Sequence, residues 1–260
     1  MDPRLKEKFS ALFARYFPGA ELPVAFFYAD APPPGMQAEP KSKGWRCFIA
    51  DLGRARKGEE LCLDEPALGC GKRFCGFPAP QRPNFEQFLS SGIPGKMEGE
   101  RYKKDPATVR ELMRHMPEWR APGRFLVLKR WDGLADADEP EAAVFFAPPD
   151  VLSGLFTLAN FEESDPFGVI APFASGCAAV IQYPFLENRK AAPKCVLGMF
   201  DVSARPCVGT GELTFAVPMR KLERMIGQFE ESFVTTRSWE KVMRRLHAAA
   251  GGETFQGGGE

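Results

Sequence analysis

Short apolar segments alternate with amphipathic helical patterns along most of this chain, and proline or glycine separates many of them. The strand-length apolar runs cover about residues 22–28, 60–63, 125–129, 143–147, 168–172, 195–200 and 213–217. Runs of this length, bounded by turn residues, are typical of buried strands. Strands that alternate with helices predict a mixed α/β fold of the α+β class.

Helical periodicity marks the segments between the apolar runs. Leu5, Phe9 and Leu12 recur at steps of three and four residues, which is the spacing of one helix face. Asp105 and Pro106 form a favourable helix start, because Asp accepts hydrogen bonds at an N-cap and Pro fits the first turn. The predicted helices cover about residues 5–16, 45–56, 106–116, 150–161 and 219–233.

The two halves of the chain resemble each other. Residues 24–27 (VAFF) precede a proline-rich turn, a helix, a strand and the Gly-Cys dipeptide at 69–70. Residues 143–146 (AVFF) precede the same order of features and the Gly-Cys dipeptide at 176–177. Internal similarity of this kind indicates related lobes, although short apolar strands and Gly-Cys pairs also match by chance.

From this similarity we predict two similar lobes at about residues 20–117 and 120–235. Each lobe would be a small sheet with flanking helices, and together they would form one compact domain over residues 1–250. The two Gly-Cys dipeptides would then face a shared groove. The glycine-rich residues 251–260 are predicted to form a disordered tail.

The charge balance excludes long-range attraction to polyanions. Lys plus Arg and Asp plus Glu both number 34, so we expect neither nucleic acid nor a membrane surface as a partner. The N-terminus carries charges throughout, which is unlike a secretory signal, and the longest apolar stretch is broken at Pro148 and Pro149. We therefore expect a cytoplasmic protein without a membrane segment, and its oligomeric state stays open.

The seven cysteines carry most of the functional interest. An odd number in a cytosolic chain does not suggest a disulfide framework, which leaves a metal site, a reactive thiol or buried inert thiols. Cys70 and Cys75 form a C-x4-C pair, and adding Cys177 with either Cys47 or Cys195 gives four thiolates. Four thiolates can hold an iron-sulfur cluster, so we consider these five residues as cofactor ligands, with Cys70 and Cys177 as the core of any metal site.

Cys70 is also the candidate for a catalytic thiol. It lies in a glycine-rich turn that follows a predicted strand and starts a helix, so the helix dipole and the charges of Lys72 and Arg73 are expected to lower its pKa. The two histidines, His115 and His247, lie in no recognisable motif. A histidine-assisted hydrolase is therefore not expected.

A polar segment at residues 95–103 suits an ordered loop that binds a polar ligand. It combines glycines with Glu100, Arg101 and Tyr102, which we consider as ligand-binding candidates together with Lys72 and Arg73. A solvated connector has the same composition, so both interpretations stay open.

Four blocks of sequence carry a family resemblance. The blocks are residues 70–77 (CGKRFCGF), 95–102 (GKMEGERY), 145–152 (FFAPPDVL) and 175–177 (SGC). Their order and spacing resemble the bacterial and archaeal family catalogued as domain of unknown function 169, from about residue 9 to residue 233. The resemblance brings no established activity and no catalytic residues to transfer.

The resemblance does imply a role for cysteine. Relatives keep cysteines near Cys47, Cys70 and Cys177, and distant members are expected to have them in the strand at residues 197–200, where this chain has Met199. The leading hypothesis is a cysteine-lined cofactor or small-ligand site between two lobes, with iron-sulfur redox or sensing chemistry. The alternatives are a non-catalytic binding or interaction module with structural cysteines, and an enzyme that uses the Cys70 thiolate.

Overall fold

The architecture comes from a computed structural model that describes residues 1–43 and 46–251. Its seven strands are β1 Val24–Ala29, β2 Leu61–Leu63, β3 Phe125–Arg130, β4 Ala142–Ala147, β5 Val169–Ile170, β6 Cys195–Gly198 and β7 Leu213–Pro218. Its α-helices are α1 Pro3–Tyr16, α2 Phe48–Arg56, α3 Phe85–Leu89, α4 Pro106–His115, α5 Pro149–Ala159, α6 Tyr183–Glu187, α7 Met219–Gln228 and α8 Arg237–Ala249. The predicted mixed α/β class is confirmed.

All seven strands form one sheet in the order β2-β3-β1-β4-β7-β6-β5. The two halves of the chain meet at the centre of the sheet, where β1 pairs antiparallel with β4 and Ala25 lies opposite Ala143. The remaining pairs are antiparallel except for β5 with β6. We expected a small sheet in each lobe. The strands instead continue across the middle, because the apolar β1 and β4 hydrogen-bond to each other, and the two lobes stay a prediction.

Alternating side chains give the sheet two buried faces. On one face, α1, α5, α7 and α8 pack against a core that includes Phe27, Phe145 and Phe215. On the other face, α2 lies against β1 and β3, and α6 lies against β6 and β7. The position of a strand residue in this alternation therefore decides which set of helices it contacts.

Two compact units make up the chain. The first comprises residues 1–75 together with residues from 122 onward, and it contains the whole sheet. The second comprises residues 76–121 and contains α3 and α4. These units do not coincide with the predicted lobes at 20–117 and 120–235, and the single domain over 1–250 also stays a prediction.

Several predicted elements differ from the observed ones. The strand predicted at 168–172 is only the two-residue β5, and the long final helix ends at Gln228 and continues as two short 3₁₀ turns. The patterns missed α3 and α8. Trp45, where the second helix was predicted to begin, and residues 252–260 of the predicted tail lie outside the described residues. None of the described helices is long and apolar enough to cross a bilayer.

Candidate functional site

Five cysteines from four separate segments lie near one another around the N-terminus of α2. Cys47 is the N-cap of α2, and Cys70 and Cys75 flank the start and end of a short 3₁₀ turn. Cys177 is the N-cap of a π-helical turn, Ala178–Gln182, and Cys207 ends another 3₁₀ turn. The side chains interact as a connected group, which we call the cysteine cluster: Cys47, Cys70, Cys75, Cys177 and Cys207.

Glycines on both sides of Cys70 bring it to α2. The Cys70 N–H donates to the Arg46 carbonyl oxygen at 3.2 Å, and a Cβ on Gly69 would lie 2.2 Å from that oxygen. A Cβ on Gly71 would lie 2.8 Å from the Cβ of Phe48. Contacts below about 3 Å exclude a side chain at either position without a shift of the backbone. The two glycines therefore explain how a turn can approach α2 so closely.

The turn before Cys177 is held from two sides. The Gly176 N–H donates to Asp201 Oδ2 at 3.0 Å, which ties it to the segment after β6. A Cβ on Gly176 would lie 3.2 Å from Met199 Sδ and 3.4 Å from Ile49 Cδ1 of α2. The segment after β6 also leads to Cys207. It therefore contributes one thiol to the cluster, and its residue Met199 packs beside Gly176.

The electrostatics of the cluster favour a thiolate at Cys70. The Cys177 thiol hydrogen-bonds to the Cys70 sulfur, and the Phe48 backbone N–H and the Cys47 thiol donate to it as well. Together these donors outweigh burial and lower the pKa of Cys70 to about 6. The Phe48 N–H is at the first turn of α2, where unpaired N–H groups favour negative charge. Cys70 is half-buried, so reagents can reach it.

Three neighbouring thiols, Cys47, Cys75 and Cys177, favour the protonated form. The hydrogen bond to Cys70, together with burial, raises the pKa of Cys177 well above its usual value. Burial raises the pKa of Cys75 well above its usual value and that of Cys47 to about 11. The cluster thus combines one thiol whose pKa is lowered, Cys70, with three thiols whose pKa is raised.

Asp51 is a buried carboxylate beside the cluster that sequence reasoning missed. It lies one helical turn after Cys47 and is 1% exposed. Arg46 donates from Nε to Asp51 Oδ1 at 2.8 Å, whereas Oδ2 has no hydrogen-bond partner among the described residues. Burial raises the pKa of Asp51, and its charge in turn raises the pKa of Cys75. Asp51 follows Cys47 by four residues on a predicted helix, and this spacing could have indicated that the two side chains lie on the same helix face.

Lys72 and Arg73, which we predicted to activate Cys70, have a smaller role than expected. Lys72 Nζ is 3.8 Å from Glu65 Oε1, and Arg73 is exposed. The leading causes of the low Cys70 pKa are hydrogen bonds from thiols and backbone N–H groups. The sequence pattern predicted a lowered pKa for Cys70 from these cations, whereas the lowering comes chiefly from other groups, and the role of Cys70 as a reactive thiol stays a prediction.

Cys195 lies away from the cluster, contrary to its proposed place in a four-sulfur set. It is fully buried in β6 on the sheet face that packs against α1, α5 and α7, and burial raises its pKa to about 12. Its charged neighbours are Lys221, Glu163 and Glu187. Because side chains alternate along β6, Cys195 lies on the sheet face opposite to α2. The cluster contains Cys207 and not Cys195.

The other ligand candidates, Glu100, Arg101 and Tyr102, belong to the second unit. Backbone N–H groups of Glu100 and Arg101 donate to the carbonyl oxygens of Phe88 and Ser90 at 2.8 and 3.0 Å, which orders the loop. Arg101 has a left-handed backbone with φ 55°. A depression of about 480 Å³ within this unit is lined by Ser91, residues 93–99 and Arg101, so of the three candidates only Arg101 is among its lining residues. A ligand-binding role for them stays a prediction.

Among residues 1–43 and 46–251, no group of three or more His, Cys, Asp or Glu side chains is arranged around a position for a metal ion. The Cys70 and Cys177 thiols instead interact with each other, and each is the leading influence on the pKa of the other.

Comparison with known proteins identifies the family. Searches among curated proteins and among solved structures give no match. The model of the family domain of unknown function 169 (DUF169), described as "Uncharacterised ArCR", matches residues 20–228 and so spans β1 to the end of α7. That range includes every member of the cysteine cluster. The chain therefore belongs to the DUF169 family.

Proposed function

We propose that this protein uses the cysteine cluster for redox or redox-sensing chemistry, with Cys70 as the reacting thiolate and Cys177 as its disulfide partner. The observation that carries the proposal is the placement of Cys70 and Cys177 at the N-terminus of α2, close enough that each thiol is the leading influence on the pKa of the other. Thiolates are the reactive form of cysteine, and an adjacent thiol is what a reversible redox pair requires.

The chemistry follows from the two protonation states. The Cys70 thiolate attacks a low-molecular-weight disulfide, RSSR, forming a Cys70–SR bond and releasing RS⁻. Cys177 then loses its proton to a departing thiolate and attacks the Cys70 sulfur, which releases the second RS group. The two cysteines are oxidised by two electrons, and RSSR is reduced to RS⁻ and RSH.

The test uses the reduced full-length chain carrying Cys207→Ser, which removes the exposed thiol. A short pulse of iodoacetamide at pH 7 is expected to label Cys70 before any other cysteine, as measured by peptide mass spectrometry. Oxidised glutathione is then expected to produce a Cys70–Cys177 disulfide.

A matched Cys70→Ser chain should show neither product. Equal labelling of Cys70 and the buried cysteines, or glutathione attached to Cys70 without any bond to Cys177, would contradict the proposal.

An iron-sulfur cofactor at the same place is the second candidate. The number of converging thiols favours it, because a dithiol pair needs two cysteines whereas the cluster has five, and cubane clusters take four. Cys47, Cys70, Cys177 and either Cys75 or Cys207 would be the ligands, and because the described side chains are not arranged around a metal position, their thiols would have to move together on binding. Ligation requires thiolates, so binding would release protons from the neutral thiols.

This second candidate predicts bound iron and acid-labile sulfide in chain purified without oxygen. Cys70→Ala and Cys177→Ala are expected to lose most of the iron, whereas Cys195→Ala should retain it because Cys195 is across the sheet. Iron-free, colourless protein would exclude the cofactor and leave the thiol-pair chemistry unaffected.

A further inference from the structure

A solvent-open groove of about 400 Å³ lies at one end of the sheet. It forms where β4 ends at Ala147, β7 begins at Leu213 and the chain leaves β6 at Met199. The first turn of α5 supplies Leu152 to its floor. The volume is within the range of small-molecule sites, and the lining is mainly apolar.

One cation in this groove, Arg205, is held by backbone carbonyl oxygens, and the Glu212 carboxylate interacts with it through charge without forming a salt bridge. Arg205 donates from Nη1 to the Glu212 carbonyl oxygen at 2.6 Å, and from Nη2 to the carbonyl oxygens of Gly209 and Thr210 at 3.0 and 3.3 Å. Within the part of the chain that is described, Arg205 forms no salt bridge. These neutral carbonyls orient the guanidinium without neutralising it, and its Nε–H has no acceptor among these contacts.

The other charged group of the groove is already paired. Both carboxylate oxygens of Glu212 accept from Arg56, at 2.9 and 3.0 Å, and that pairing lowers the pKa of Glu212. Glu212 is therefore not available to neutralise an incoming cation. The groove favours an anion at Arg205.

The apolar side of the groove includes a residue with a strained backbone conformation. Met199 is 1% exposed and has φ 68°, a left-handed conformation that a non-glycine residue adopts only when its surroundings impose it. The next residue, Phe200, is 55% exposed although its ring borders the groove. A strained residue beside an uncovered aromatic ring is the pattern of a binding wall.

We propose that this groove binds a small organic anion, a carboxylate with an apolar body, whose charge pairs with Arg205 and whose body contacts Leu152 and Phe200. The guanidinium fork matches a carboxylate in geometry and charge. This site does not depend on the redox chemistry proposed above, although both share the segment from Met199 to Cys207.

The probe is cyclohexanecarboxylate, compared with cyclohexylmethanol and cyclohexylmethylamine. Binding is followed by the NMR signal of the Met199 methyl group in methionine-labelled full-length chain. We expect the carboxylate to shift that signal in a saturable way and the alcohol and amine to bind at least about tenfold more weakly, since hydrogen bonds to charged groups are the stronger ones.

Variants separate the groove from non-specific binding. Leu152→Trp fills the groove and is expected to abolish the shift, whereas Thr157→Trp, on an exposed position of the same helix, should leave the affinity unchanged. Arg205→Lys keeps the charge without the fork and is expected to bind several-fold more weakly. Equal affinity for all three probes, or unchanged binding in Leu152→Trp, would overturn the proposal.

Discussion

In a Cys177→Ala variant, the rate of Cys70 alkylation at pH 6 is expected to fall about tenfold. The Cys177 thiol is the leading donor to the Cys70 sulfur, and its removal withdraws stabilisation from the thiolate. A hydrogen bond to a charged group corresponds to roughly one or two pKa units. Because the pKa of Cys70 is about 6 in the parent, about half of it is thiolate at that pH, and raising the pKa removes most of this fraction.

The alkylation rate of Cys70 as a function of pH shows in which direction its pKa changes. In the parent, the alkylation rate should rise with pH, reach half its maximum near pH 6 and level off above neutral pH. In Cys177→Ala the whole curve is expected to move to higher pH while its plateau changes little. A lower plateau with an unmoved midpoint would indicate altered access rather than a lost donor.

Two variants act as controls for this prediction. Cys177→Ser keeps a donor at the same position and should retain a midpoint near that of the parent. Cys195→Ala removes a buried thiol of the same size on the opposite sheet face and should leave the profile unchanged. If Cys195→Ala shifted the profile as strongly as Cys177→Ala, general loosening of the fold would be the better explanation.

Replacing Trp239 by alanine is expected to lower the free energy of unfolding by about 3–5 kcal/mol. The ring is 3% exposed, and its centroid lies 5.1 Å from that of Phe17 and 5.0 Å from that of Phe233. Its indole N–H donates to the Tyr16 carbonyl oxygen at 2.9 Å. Truncation therefore leaves both a cavity and an unpaired carbonyl at the place where α8 meets α1.

Chemical denaturation followed by circular dichroism measures this loss. Lys241→Ala, an exposed substitution on the same helix, should change the free energy of unfolding by no more than about 0.5 kcal/mol. A Trp239→Ala loss below about 1 kcal/mol would mean that α8 adds little to the stability of the first unit.

The sequence predicted the central elements because their patterns are strong. Apolar runs such as 143–147 have the length and turn boundaries of a buried strand, and β4 follows them closely. It missed α8, although Trp239, Val242, Met243 and Leu246 recur at the spacing of one helix face and pack in or against the core. Nor did it predict that the strands of both halves would join, since pairing of β1 with β4 depends on distant residues rather than on local pattern.

For the site, local chemistry identified Cys70, Cys75, Cys47 and Cys177 as candidates, and the structure brings these four together. The sequence analysis weighed Cys47 against Cys195 as the fourth thiolate and did not consider Cys207; only the fold shows that Cys207 lies in the cluster and Cys195 does not. Cys195 is on a strand, where alternation fixes its face, and Cys207 is on a short turn whose position no periodicity predicts. The unpartnered oxygen of Asp51 likewise became visible only once the packing around α2 was known.

The central position of β1 affects how the protein must assemble during synthesis. This apolar strand is made early, yet both of its neighbours come much later in the chain, the first being β3 at Phe125–Arg130. Sheets built from such distant pairings form slowly, because a long loop has to close before any pairing is gained. A nascent chain that has not yet reached residue 130 therefore carries β1 without a partner, and chaperones that shield apolar strands would act in that interval.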